Sequence, residues 1–181
     1  MLLFISNIYF QLAVHLKRII MKKKSVVIEF TKVNLPWGWL GNMYASPIEY
    51  DGKKWLTSEA LFQALRFDDE EIRELIRKEK SPMGAKMKAK GNRNSMVIEP
   101  MSEKDVEKMK MVVRLKFEQN LVLRSRLKVS GEHVIVENIG NRNGERHLFW
   151  GMKKINDEWV GNNMMGKILM ELREEFKMDG K

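Results

Sequence analysis

An α+β fold, a single helix-rich domain with a small β-sheet, is predicted for this chain by three observations. Apolar residues recur at helical spacing in several long segments and alternate at a period of two in only a few short ones. No linker, internal repeat or low-complexity stretch divides the 181 residues. An apolar fraction of 44% beside a charged fraction of 31% describes an ordinary soluble globular chain with one core.

Residues 1–20 read as an extension outside the fold, and 21–181 as the domain. MLLFISNIYFQLAVHL is largely apolar and is followed by KRIIMKKK. That run falls short of the roughly 20 apolar residues of a membrane span. Its charges follow the apolar stretch, the reverse of a secretory signal. Met21 opens MKKKSVVIEF, a natural soluble start, and a monotopic anchor is the alternative. A cytoplasmic protein without membrane association is expected.

Ser25 to Phe30 has the β-branched density of a strand. Asp51-Gly52 is a hairpin turn signal between Ile48-Tyr50 and Trp55-Leu56. Thr57 or Ser58 then caps a helix whose first turn holds Glu59. Asp69 to Lys80 runs acidic then basic, as suits a helix dipole, and Ser81-Pro82 breaks it. A short helix ending at Gly91 follows. Met101 to Asn120 is a long helix with Ser102 and Asp105 as a capping box and a stripe of Val106, Met109, Val113 and Phe117. LKVSGEHVIVEN turns to a period of two, with Val134 and Val136 on one face, and HLFWG reads as another short strand beyond an Ile139–Glu145 loop. The last helix, about 163–177, carries Met165, Leu169, Leu172 and Phe176 on one face. Gly166 inside it costs about 1 kcal/mol relative to alanine, and permits close approach by another backbone or a ligand.

The net charge is +9 and the pI near 9.7. Polyanion partners fit that balance, and so does a lysine-rich solvated surface. There is no cysteine, and His15, His133 and His147 are scattered, so no metal site is expected. Walker, Rossmann and nucleophile-elbow motifs are missing.

The segment from Glu59 to Phe67 poses the functional question. At 100° per residue Gln63 falls near 40° from Glu59 and Arg66 near 340°, while apolar residues fill the rest of the circle. A surface helix would show a wide polar face. This helix is therefore central, and its narrow polar stripe either lines a site or reaches solvent through a gap.

LGNMYASPIEYDGKKWLTSEALFQALRF resembles the opening of the NADAR family, which includes the YbiA-like N-glycosidases. The matching residues are Leu40, Asn42, Pro47, Ile48, Gly52, Lys53, Trp55, Ser58, Glu59, Phe62, Gln63 and Ala64. SPMGAKMKAK, KFEQNLVLRSRLKVSG, FWG and GNNMMGKILMELR resemble later family segments in consistent order, over roughly Val27 to Phe176. Gly41 departs from the family's serine, a usual tryptophan is missing near Asn94 to Met96, and the loop after Glu137 lacks a common Pro-x-Asp step that Glu145 would replace.

The resemblance implies an N-glycosidase cleaving a ribose–base bond. The substrate would be ADP-ribosylated guanine in nucleic acid or nucleotide, with small phosphorylated riboflavin precursors or a non-catalytic ADP-ribose/NAD-binding module as alternatives. No cofactor and no stable protein partner are implied. Such cleavage passes through an oxocarbenium-like state, which a carboxylate such as Glu59 stabilises. A lysine amine attacking the sugar as a Schiff base is Lys53 first, then Lys86, with Lys90 as its register rival. Asn42, Tyr44, Gln63, Trp150, Gly151, Asn163 and Gly166 would contact substrate, and Arg66 and Arg93 its pyrophosphate.

Overall fold

The computed structural model describes residues 26–178, so the expected extension, residues 1–20, lies outside the described residues. The chain runs β1 (Val27–Phe30), a 3-10 turn (Gly38–Leu40), β2 (Ile48–Tyr50), β3 (Lys53–Trp55), α1 (Ser58–Ala64), α2 (Glu70–Arg77) and α3 (Pro82–Gly91). A second 3-10 turn (Arg93–Ser95) leads to α4 (Glu103–Gln119), α5 (Leu121–Val129), β4 (Val134–Glu137) and α6 (Glu145–Trp150). The hairpin β5 (Lys153–Ile155) and β6 (Glu158–Val160) precedes α7 (Met164–Met178). The helix-rich α+β class holds. Among the described residues the strands form three two-stranded sheets rather than one: β1 parallel to β4, with Val27 opposite Val134, and two antiparallel hairpins, β2–β3 and β5–β6.

Local chemistry sets most boundaries up to α4. Asp51 and Gly52 take φ of 52° and 67°, the left-handed pair that a two-residue hairpin of this twist needs. Thr57 caps α1, its Oγ1 accepting the Ala60 N–H at 3.2 Å. Asp69, Ser81 and Ser102 do the same for α2, α3 and α4.

Beyond Gln119 the sequence expectations are corrected in three places. Leu121–Val129 is a helix capped by the Asn120 side chain, so the strand starts only at Val134. Val134 and Val136 do not share a buried face; Ile135 and Val136 are both buried, because β4 pairs with β1 and packs on α7. HLFW ends helix α6 and Gly151 is its C-cap, so this segment is not a strand, and an unforeseen hairpin follows it, turning on Asn156 and Asp157 with φ of 49° and 64°.

All seven residues of α1 are buried, and the helix packs on α2, α3 and α4. The core joins its apolar sides to Met109, Val113 and Phe117 of α4 and Met165, Leu169, Leu172 and Phe176 of α7; Val106 is only partly buried. Gly166 brings α7 against β4: a Cβ there would run into the Ile135 carbonyl and the Asn163 side chain. The close approach expected at this glycine is therefore to backbone.

Lys116 lies on the buried side of α4. Its Nζ donates to the carbonyls of Trp39 (2.7 Å), Leu40 (3.4 Å) and Gly41 (2.8 Å), below the rings of Tyr44 and Phe117. Burial pulls the ammonium's pKa down to about 7, while the three carbonyl dipoles favour the charged form. The lysine thereby ties α4 to the loop that delivers Asn42 to the start of α1.

Candidate active site

The polar stripe of α1 does not reach solvent. Glu59, Gln63 and Arg66 are buried, at 6%, 2% and 0% exposure. They form a directed chain of hydrogen bonds. Arg66 Nε and Nη2 donate to Asp105 Oδ1 and Oδ2, both at 2.7 Å, and Arg66 Nη1 donates to Gln63 Oε1 at 2.9 Å. Gln63 Nε2 in turn donates to Glu59 Oε1 at 2.8 Å. Arginine only donates and carboxylate only accepts, so the amide of Gln63 has one workable orientation. Asp105 also accepts the Met101 N–H at 2.8 Å. The chain thus fixes Glu59 from behind.

The expectation that Arg66 contacts a pyrophosphate is corrected by this geometry. Its guanidinium is spent on Asp105 and Gln63 and lies 4.2 Å from the Phe62 ring centroid, with no surface left for a ligand. Arg93 is exposed on the second 3-10 turn. Asp105 was legible only as a cap partner. The missed signal is its place on the stripe: Asp105, Met109, Val112 and Lys116 follow one another at helical spacing, with a charge at each end of a buried face.

A second carboxyl joins Glu59. Glu137 ends β4, and burial pushes its carboxyl above the ordinary carboxylate range; Arg142 and Lys86 oppose that rise and the Glu59 charge adds to it. Three residues expected to bind substrate instead fix the backbone that presents Glu137. Asn163 Oδ1 accepts the Glu137 N–H at 3.2 Å while its Nδ2 donates to the Ile135 carbonyl at 2.8 Å. A Cβ on Gly151 would meet the Glu137 carbonyl, and Gly166 abuts Ile135. Sequence reading passed over Glu137 because a lone acid at the end of a strand carries no motif.

Asn42 works in the same way for Glu59. Its carbonyl accepts the Glu59 N–H at 3.1 Å and the Ser58 hydroxyl at 3.3 Å, and its side-chain amide faces Met109 Sδ. Its Oδ1 is buried with no hydrogen-bond partner. Tyr44 is half-buried beside Lys116. Trp150 packs edge-on to Phe62 of α1 at 5.8 Å and to Phe149 at 5.0 Å, which brings α6 to the site.

The lysine expectation is corrected. Lys53 pairs with Glu70 and with Glu74, the latter at 3.1 Å, and these carboxylates raise its pKa rather than lower it. It lines a depression with Leu61, Ala64 and Leu65, which lie on the opposite side of α1 from Glu59 and Gln63. Lys86, half-buried on α3, is the lysine whose charge reaches Glu137. Among the described residues Lys86 makes no ion pair; Lys90 is exposed and is not among the charges acting on Glu137. Glu145 is exposed at the start of α6. No group of three or more acids and histidines suited to a metal ion occurs among the described residues, and no helix there is long and apolar enough to cross a membrane.

The NADAR domain model matches residues 29–177. The chain is 34% identical over 156 residues to proteins named N-glycosidase YbiA from Escherichia coli and Shigella boydii, covering 86% of this chain and 92% of each relative. It is 31% identical over 145 residues to a Vibrio vulnificus protein named riboflavin biosynthesis protein VVA0006, covering 77% of this chain and 36% of that protein. The solution structure of the Escherichia coli protein YbiA superimposes with a TM-score of 0.71 at 33% identity, over 86% of this chain and 88% of that one. Family model, relatives and structural neighbour each cover most of the chain, and the chain belongs to the NADAR family.

Proposed function

We propose that this protein is an N-glycosidase that hydrolyses the bond between a ribose C1′ and the nitrogen of a base. The observation that carries the reading is the pairing of two carboxyls of unlike surroundings: Glu59, fixed through Gln63, and Glu137, whose pKa burial raises. As the C1′–N bond breaks, positive charge spreads over C1′ and the ring oxygen, and the Glu59 carboxylate stabilises it. Glu137 in its protonated form donates to the departing nitrogen; water then adds its oxygen to C1′ and returns a proton to Glu137. An alternative covalent route uses Lys86, whose amine attacks C1′ as the base leaves; ring opening gives an imine that water hydrolyses, freeing the sugar and the amine.

The names of the relatives support the glycosidase class. The Vibrio vulnificus relative favours phosphorylated riboflavin precursors as substrate, and ADP-ribosylated guanine, implied by the family resemblance, is the competing class. The test incubates the protein with both and follows release of free base. Glu59→Gln keeps shape and removes charge, so turnover should fall by about 100-fold or more while the melting temperature changes little. Turnover persisting in Glu59→Gln, or no release from either substrate, refutes the reading. Borohydride trapping of a sugar on Lys86 separates the covalent route from direct attack by water.

A further inference from the structure

One asparagine of the sequence is followed by glycine: Asn143, in the loop between β4 and α6. Asparagine is thermolabile because the next backbone nitrogen can attack its side-chain carbonyl. A Cβ on that next residue crowds the attack, and glycine has none. Asn143 and Gly144 are both exposed. Gly144 has φ of 102° and ψ of 151°, and a Cβ built on it would meet nothing within 4 Å. Its carbonyl accepts the His147 N–H at 3.1 Å and the Leu148 N–H at 3.2 Å, whereas its own N–H has no acceptor among the described residues. The glycine is held through its oxygen, with its nitrogen left open.

Tertiary structure adds a catalyst. Lys153, the first residue of β5, donates its Nζ to Asn143 Oδ1 at 2.7 Å. An ammonium only donates, so the amide oxygen and not the amide nitrogen faces it. Negative charge gathers on that oxygen when Cγ is attacked. The contact is therefore stronger in the transition state than in the resting amide, and contacts of this kind accelerate a reaction. The same hydrogen bond also restrains the side chain, but one exposed rotamer is a smaller matter than a charge-assisted hydrogen bond. Asn94 and Asn141 are equally exposed, precede Ser95 and Arg142, and serve as internal comparisons.

We propose that Asn143 is a site of spontaneous deamidation promoted by Lys153, and that the folded chain steers the product toward aspartate. The Gly144 nitrogen forms a bond to Cγ of Asn143, its proton passes through solvent to the side-chain amino group, and that group leaves as ammonia. The cyclic imide keeps the former Oδ1, which still faces Lys153. Water then adds to one of the two ring carbonyls. Addition at Cγ breaks the bond to the Gly144 nitrogen made in the first step and leaves aspartate. Addition at the main-chain carbonyl breaks the original peptide bond and leaves isoaspartate, with one more carbon in the main chain. Lys153 polarises the Cγ carbonyl and so favours the first of these. A neutral contact thereby becomes an ion pair joining the loop to β5. The change falls just before α6, the helix whose Trp150 packs on Phe62 of α1. It does not depend on the glycosidase reading.

The experiment holds the full chain folded at mildly alkaline pH and samples it over days. Peptide mapping by mass spectrometry then separates asparagine, aspartate and isoaspartate at each position. Asn143 should convert well ahead of Asn94 and Asn141, with a larger aspartate share than the same chain gives when unfolded in urea. Lys153→Met should slow the conversion by about tenfold, the factor that loss of one hydrogen bond to a charged group produces. It should also lower the aspartate share to that of the unfolded chain. Lys153→Arg keeps a cationic donor and should retain most of the rate. Equal or faster conversion in Lys153→Met overturns the proposal, because the contact would then only restrain the amide. An Asn143 that converts no faster than Asn94 overturns it as well, and so does an aspartate share that is the same folded and unfolded. Should Lys153→Met not fold, the aspartate shares of folded and unfolded wild type decide alone.

Discussion

Replacing Asp105 with alanine tests the assembly behind Glu59. Both side chains of the Arg66–Asp105 pair have 0% exposure, and both oxygens of Asp105 are engaged by the guanidinium. Removing the carboxylate leaves an arginine charge buried without a partner, which costs about 3–5 kcal/mol. It also strips the Met101 N–H of its acceptor just before α4. For a chain of this size each kcal/mol shifts the melting point by roughly 2–4 °C, so a fall of about 6–20 °C is expected. Thermal and urea denaturation, read by circular dichroism, measure it. Arg66→Met combined with Asp105→Leu should recover much of the loss, since apolar replacement of a buried pair is often nearly neutral. Below the melting range Asp105→Ala should still turn over slowly, because Arg66, released from Asp105, no longer holds the Gln63 amide that points at Glu59. A loss within about 1 kcal/mol, the value of an exposed pair, refutes the account of a buried pair anchoring the site.

Glu137 has a raised pKa, so above 4.5 the folded chain holds a proton that the unfolded chain has released, and stability falls as pH rises through the folded value. Glu137→Gln should remove that fall and flatten the alkaline limb of turnover against pH; an unchanged limb speaks against Glu137 as the acid. Lys116 has the opposite sign: its folded pKa of about 7 lies below the ordinary 10.5, so between these values the unfolded chain binds more protons and stability rises with pH. Melting curves across that window should lose this slope in Lys116→Met, and a slope that persists refutes the assignment. Gly166→Ala should cost roughly 1–3 kcal/mol or more, because its methyl meets the Ile135 backbone carbonyl rather than a flexible side chain; a wild-type melting point would mean that α7 and β4 are not so closely joined.

Most of the first half of the fold was legible because its signals are local. Thr57, Asp69, Ser81 and Ser102 cap helices within a few residues of themselves, and Asp51-Gly52 needs only its own backbone angles to close a hairpin. The second half misled where local preference and context disagree. The β-branched run around β4 suggested one buried face, yet β4 packs on both β1 and α7. HLFW has strand-like residues but lies in a helix that follows Gly144.

Sequence alone determined that the chain is a helix-rich α+β member of its family and that Glu59 sits on a helix too apolar to face water. Such properties follow from periodicity along one segment and from an ordered set of motif residues. Only the tertiary structure decided what stands around that carboxylate. It brought Glu137 and Lys86 to its side of α1, left Lys53 behind the helix with Glu70 and Glu74, and turned Arg66 inward to Asp105. The reason is physical: the side of a helix on which a residue lies is set by its spacing, but the charges that meet it come from distant segments and are fixed by packing.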